Sequence, residues 1–250
     1  MAGHSKFKNI MHRKGAQDKK RAKIFSRLGR EISVSVKEGG PDPEKNIRLR
    51  SAITSAKSLN MPKDNIERAI KKGEGNDPDS NYEEVRYEGY GPEGVAIIVE
   101  AMTNNKNRTA AEIRSSFSKY GGNLGETGSV SFGFKRLGSI TVDKNLVSED
   151  ELLEFIIDNG SEDYEINDED YNVYCNHANL HDLNEKLISK FGQTKYAGLV
   201  WKSDINITVG KVSAEKLFKL LTVLEDNEDV QVVSSNFEVS DEIISSIAIQ

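Results

Sequence analysis

The chain has 250 residues, 36% hydrophobic and 30% charged, a balance that can build packed cores and favours two or three domains over one. No run approaches the roughly 18 apolar residues of a membrane span. The basic, polar N-terminus lacks the apolar stretch of a secretory signal, and a lone cysteine, Cys175, excludes an internal disulfide framework, so the chain is expected in the cytoplasm. The net charge of −6 is split unevenly: residues 1–72 hold 19 Lys and Arg against 7 Asp and Glu, the rest 15 against 33. Such a dipolar chain should draw polyanions to its front end and keep them from the remainder.

Residues 1–16 read as a basic arm that orders on binding. Phe25, Leu28, Ile32 and Val36 then predict a helix over Gln17–Lys37, ended by Glu38-Gly39-Gly40-Pro41. Asp42-Pro43 predicts the start of a second helix with Asp42 as N-cap, carrying Leu49, Ala52, Ile53, Ala56 and Leu59 inward. Pro62 opens a third, with Ile66, Ala69 and Ile70 inward and Gly73 as its stop. After a polar linker at Gly75–Ser80 the period changes. Glu84–Tyr90 and Val95–Met102 read as strands, Asn107–Tyr120 as a helix with a Thr109-x-x-Glu112 capping box, and Ser129–Phe134 as a third strand.

From Lys135 a β-α-β-β-α-β order follows: Ser139–Val142, a helix capped by Ser148, Asp163–Asn167, Tyr171–Cys175, Leu180–Phe191 and Gly198–Trp201. The tail offers one helix, Ala214–Glu225, and one strand, Val230–Val239, which cannot bury an apolar face alone. It is therefore expected to complete the unit before Lys135. The predicted class is a multidomain α+β fold: a three-helix bundle followed by two ferredoxin-like α/β domains, the middle one discontinuous. The expected domains are 1–78, 79–134 with 206–250, and an inserted acidic 135–205.

Lys6, Lys8, Arg13, Lys14, Lys19, Lys20, Arg21, Lys23, Arg27 and Arg30 face a single acid, Asp18, over the first 30 residues. A solvated helix usually mixes signs; this excess repels itself unless phosphates neutralise it. Phe7 and His12 add stacking and hydrogen-bonding groups suited to unpaired bases. The candidate nucleic-acid-binding residues are Lys6, Phe7, Lys8, His12, Arg13, Lys14, Lys19, Lys20, Arg21 and Lys23. A plain solvated surface, or an acidic protein or membrane, is the competing reading of the same charges. The third helix mixes Asp64 and Glu67 with Lys63, Arg68, Lys71 and Lys72, which disfavours base-specific reading in a major groove.

Met102–Arg108 fits both a second contact loop, through Asn105, Lys106 and Arg108, and an ordinary turn between strand and helix. Gly89-Tyr90-Gly91-Pro92-Glu93-Gly94 matches a dinucleotide fingerprint, but a strand follows it where a helix is needed, so a hairpin is expected. Cys175, His177 and His181 lack a fourth metal ligand, and the twelve acids of 143–170 read as a solvated face. No constellation of a hydrolase, phosphate-binding loop or metalloprotease is present. The sequence predicts no enzyme, cofactor, metal, membrane partner or small-molecule substrate.

Ala2-Gly3-His4-Ser5-Lys6-Phe7-Lys8-Asn9-Ile10, His12-Arg13-Lys14 and Gln17-Asp18-Lys19-Lys20-Arg21 resemble the opening signature of the YebC family. So do Met61–Ile66, Gly94–Glu100, Asn105–Thr109, Gly121–Gly125 and Gly128–Phe132. Phe7 stands where the family commonly has Trp, and Asn104 where Asp is common. The resemblance implies three domains, the middle one discontinuous. It also implies one of two roles. The family has long been labelled as transcriptional regulators that bind DNA, while other members, including a mitochondrial translational activator of cytochrome oxidase, act on ribosomes and assist synthesis through stretches such as consecutive prolines.

Overall fold

Phe25, Leu28, Ile32 and Val36 recur every three or four residues and lay one apolar stripe along α1 (Gln17–Gly39). The stripe packs on α2 (Ile47–Ser58) and α3 (Lys63–Glu74), with Leu49, Ala52, Ala56, Ile66 and Ala69 buried beneath it. Asp42 and Pro43 do not start α2. They form a turn in which the Lys45 and Asn46 N–H groups donate to the Asp42 carbonyl at 3.1 and 3.0 Å. The cap is Asn46: its Oδ1 accepts from Leu49 N at 3.0 Å, and its Nδ2 donates to the Ser35 and Gly40 carbonyls at 2.7 and 2.9 Å. One buried amide thus satisfies the end of α1 and the start of α2. Gly73 lies within α3 rather than stopping it, because α1 crosses there. A Cβ at that position would sit 2.5 Å from the Ser33 carbonyl oxygen.

This computed structural model describes residues 17–75, 81–167 and 169–248. The arm before Gln17 and nearly all of the expected linker lie outside the described residues. The chain divides into two units, one running to Phe134 and resuming at Ser203, the other Lys135–Lys202.

In the first unit, β1 (Glu83–Tyr90) and β2 (Ala96–Thr103) form an antiparallel hairpin across the glycine motif, closed by Gly91 N donating to Val95 O at 2.7 Å. α4 (Lys106–Lys119) begins after Asn105, whose side chain accepts from Arg108 N; Thr109 is buried inside the helix and caps nothing. β3 (Asn123–Leu124) edges β1. Residues 129–134 are not a strand. The buried Glu88 carboxylate accepts from Val130 N and Ser131 N at 3.0 and 2.9 Å, taking the donors a strand would have paired, and the chain turns at Ser131–Gly133.

The second unit comprises β4 (Lys135–Asp143), α5 (Glu149–Asp158), β5 (Ser161–Ile166), β6 (Asp170–Asn176), α6 (Leu180–Phe191) and β7 (Tyr196–Lys202). Its sheet order is β5-β6-β4-β7 with every neighbouring pair antiparallel, the split βαβ arrangement of a ferredoxin-like fold. Leu152, Ile156, Leu183 and Leu187 of the helices pack on Ile140, Val142 and Val173.

The chain returns to the first unit with β8 (Ile207–Thr208), α7 (Lys211–Asp226), β9 (Val230–Ser235), β10 (Phe237–Glu238) and α8 (Asp241–Ala248). β9 pairs antiparallel with β2, making the order β3-β1-β2-β9. Phe117 of α4 and Leu217, Leu220 and Leu221 of α7 cover Ile97 and Val99. This main sheet has four strands, as in the inserted unit, but here the two central strands are joined directly by a hairpin. The tail strand is shorter than its β-branched run suggests because Asn236 breaks it. That buried amide accepts from Ala96 N at 2.8 Å and donates to Ile205 O at 3.1 Å, after which β10 pairs with β8. α8 was not apparent from the sequence; Ile244 anchors it in the core.

Candidate nucleic-acid interface

The candidate cations begin in residues that the structure does not describe: Lys6, Phe7, Lys8, His12, Arg13 and Lys14 all lie before Gln17. Lys19 and Lys20 occupy the first turn of α1. Arg21 is exposed, with its guanidinium 5.3 Å from the Phe25 ring centroid and 3.3 Å from the Asn60 carbonyl oxygen.

Further along α1 the cations have partners from the far end of the chain. Lys23, Arg27 and Arg30 fall at helical spacings of four and three, so they share one face. Lys23 Nζ lies 2.8 Å from Asp226 Oδ1, 203 residues away in sequence. Arg27 donates to the Glu225 carbonyl at 2.5 Å. Arg30 donates to the Glu228 carbonyl and lies 3.2 Å from Asp229 Oδ1. The C-terminus of α7 carries unsatisfied carbonyls and the negative end of the helix dipole; Arg27 meets a carbonyl of its last turn, and Arg30 one just past its end. Burial pulls the Arg27 guanidinium below its ordinary value, against the opposing pull of Glu225 and Asp226. The self-repulsion expected of the basic segment is thus partly relieved within the chain, and the acidic remainder supplies the counter-charge.

Asp229 also organises the second candidate loop. Asn105 caps α4 by accepting from Arg108 N, and its own N–H donates to Thr103 Oγ1 at 2.9 Å. Lys106 pairs with Glu83. Arg108 lies 2.7 Å from Asp229 Oδ2, and the hydroxyls of Thr103 and Thr109 lie 3.0 and 2.7 Å from that same oxygen. The Asp229 side chain is 5% exposed and that of Arg108 47%. Burial alone would raise the Asp229 carboxyl, but Arg108, Thr109, Thr103 and Arg30 together hold it below the usual carboxylate range. One oxygen therefore holds α1 through Arg30 and the other holds the loop through Arg108. Sequence reasoning missed Asp229. Its signal was the acidic run Glu225-Asp226-Asn227-Glu228-Asp229, placed between a helix and a strand that had to return to the first unit.

A family model described as the TACO1/YebC protein N-terminal domain matches residues 5–76, and one described as the TACO1/YebC second and third domain matches 82–237. The chain belongs to the TACO1/YebC family. A crystal structure of a conserved hypothetical protein from Aquifex aeolicus is similar along nearly its whole length: TM-score 0.85, 46% identity, covering 90% of this chain and 93% of that one. The second family model is a transcriptional-regulator one, so the family is regulatory rather than catalytic. In this TACO1/YebC chain the Lys23–Asp226, Arg27–Glu225 and Arg30–Asp229 contacts join the two matched segments.

In α3, Lys63 pairs with Glu67 at 3.5 Å, Arg68 donates to the Asp64 carbonyl at 3.2 Å and to the Asn65 side chain, and Lys72 lies over the Tyr82 ring. Among the described residues no group of three or more His, Cys, Asp or Glu could hold a metal ion. Cys175 is buried, its thiol pushed up to about 11 by burial, and His181 lies 3.2 Å from Glu185. No described helix is long and apolar enough to cross a membrane.

Proposed function

We propose that this protein is a nucleic-acid-binding regulator of gene expression, acting as a ribosome-associated, RNA-binding translation factor that helps synthesis through difficult stretches such as polyproline. The observation that carries the reading is the cation density of the arm and the first turns of α1: Lys6, Lys8, Arg13, Lys14, Lys19, Lys20 and Arg21 with Asp18 as the only acid among them. These hold phosphates; Phe7 and His12 lie near bases. Lys23 joins by exchanging Asp226 for a phosphate, at little cost because an exposed pair contributes at most about 1 kcal/mol. The mixed charges of α3, against the denser cations of the arm and α1, favour backbone and shape contacts over base reading, which suits RNA. Contacts to ribosomal RNA, including Asn105 and Arg108, would help synthesis by holding a transfer RNA in productive geometry.

The regulator label of the second family model favours another reading, a DNA-binding transcriptional regulator using the same surface. Crosslinking the tagged protein in cells and sequencing RNA and DNA together separates the two. Ribosomal RNA crosslinks are expected, and crosslinks confined to promoter DNA would overturn the translation reading. Reversing the charge of Lys19, Lys20 and Arg21 should weaken binding to all sequences alike and flatten the dependence of log Kd on log salt by roughly three units. A loss confined to one sequence would mean base readout instead.

A further inference from the structure

Phe132 is 83% exposed, more than any other large apolar side chain described. Scattered surface apolars are ordinary, so exposure alone argues little. What sets Phe132 apart is how its loop is held. On either side, Val130 and Phe134 are buried, 2% and 8% exposed. Between them the chain makes one tight turn, with Gly133 N donating to Val130 O and Phe134 N to Ser131 O, each at 3.1 Å. The Glu88 side chain, 0% exposed, accepts from Val130 N and Ser131 N, and Arg86 Nε lies 2.9 Å from its other oxygen. Tyr90 OH donates to Ser129 O at 2.8 Å. A buried carboxylate is costly unless such charge-assisted bonds repay it, and here they serve to fix the backbone that displays one ring.

The surroundings of the ring narrow its partner. Its chain neighbours are Ser131 and Gly133, and a Cβ built on Gly133 would meet nothing within 4 Å. A protein partner would want a contiguous apolar patch of some hundreds of square ångströms, more than one ring supplies by itself. Stacking needs only a ring face and an open approach. We infer that Phe132 is a stacking site for one unpaired nucleobase, displayed by the Glu88-anchored loop. The inference rests on the nucleic-acid reading above and adds a contact far in sequence from the basic arm.

The test uses the full chain with a short single-stranded oligoribonucleotide and its fully paired duplex as probes. Phe132→Ala is expected to weaken single-strand binding about ten-fold and leave duplex binding unchanged. Phe132→Trp should restore affinity, and its fluorescence should be quenched on adding the single strand, against the background of the one native tryptophan, Trp201, which is 9% exposed. Phe132→Leu, apolar without an aromatic face, should not restore it. Single-strand affinity unchanged in Phe132→Ala, or fully retained in Phe132→Leu, overturns stacking while leaving the nucleic-acid reading standing. Failure of the wild-type protein to bind either probe overturns that reading, and this inference with it.

Discussion

Asp229 ties α1 to the loop before α4, because its two oxygens serve two elements and almost none of it faces water. Asp229→Asn keeps the shape but takes the paired carboxylate from Arg108 and leaves Arg30 only Glu228, 3.8 Å away. The expected loss in urea unfolding is about 3 kcal/mol, as for breaking a buried ion pair from one side. A loss near that of an exposed pair, under about 1 kcal/mol, would show the carboxylate contributes no more than a surface charge. The pH dependence has a definite sign. Asp229 and Glu88 are both held below the usual carboxylate range in the folded protein, Glu88 by the backbone donors of Val130, Ser131 and Gly128 working against its burial. Groups depressed on folding stabilise above their unfolded pKa of about 4 and lose that contribution as pH falls through the lower folded value. Thermal unfolding followed from neutral pH downwards should therefore show falling stability below about pH 5, with a shallower fall in Asp229→Asn. The sequence did not single these residues out: Asp229 is one of four acids in a five-residue run, and Glu88 one glutamate in a strand.

Among elements, α1 is the one whose amphipathicity is plain in the sequence and whose internal ion pairs are not. Its apolar stripe follows from spacing alone, and the bundle follows from the stripe. Its cations read in the sequence as a surface for a polyanion, and Lys23, Arg27 and Arg30 also meet the end of α7 and the residues just after it. A partner about two hundred residues away leaves no local pattern to find. The contact predicts competition. Asp226→Asn frees Lys23, so affinity for single-stranded RNA at low salt should rise a few-fold, within the roughly 1 kcal/mol worth of an exposed pair, and the salt dependence should steepen by about one unit. Unchanged affinity and slope would place Lys23 outside the binding surface. The same gap between local and distant signals explains the mistaken caps. Asp42-Pro43 and Thr109-x-x-Glu112 are sound local signals, but Asn46 and Asn105 lie where the packed helices begin.

At the scale of the molecule, the second unit carries the negative balance: Lys135–Lys202 holds 7 Lys and Arg against 14 Asp and Glu. Its two ends are neighbours, since Lys135 and Lys202 are paired across β4 and β7. It also has its own core around Ile140, Val173 and Leu187. Excising it and joining Phe134 to Ser203 through a short flexible linker should leave a first unit that unfolds cooperatively. RNA affinity at low salt should rise modestly as the repulsive charge is removed. A marked loss of affinity on excision, with the remaining unit folded, would mean that the inserted unit contributes contacts rather than charge.

The sequence by itself determined the helical bundle, the hairpin at the glycine motif, the β-α-β-β-α-β insert and the cationic front end. Each of these is written in spacing or composition within a few tens of residues, the range over which periodicity and capping chemistry act. Tertiary structure alone decided that Asp226 and Asp229 neutralise part of α1, that Glu88 turns 129–134 from a strand into a loop displaying Phe132, and that Gly73 marks a helix crossing. Those outcomes depend on which buried donor meets which distant acceptor, and the free energy of such a pair is set by desolvation at the place where the chain folds back on itself.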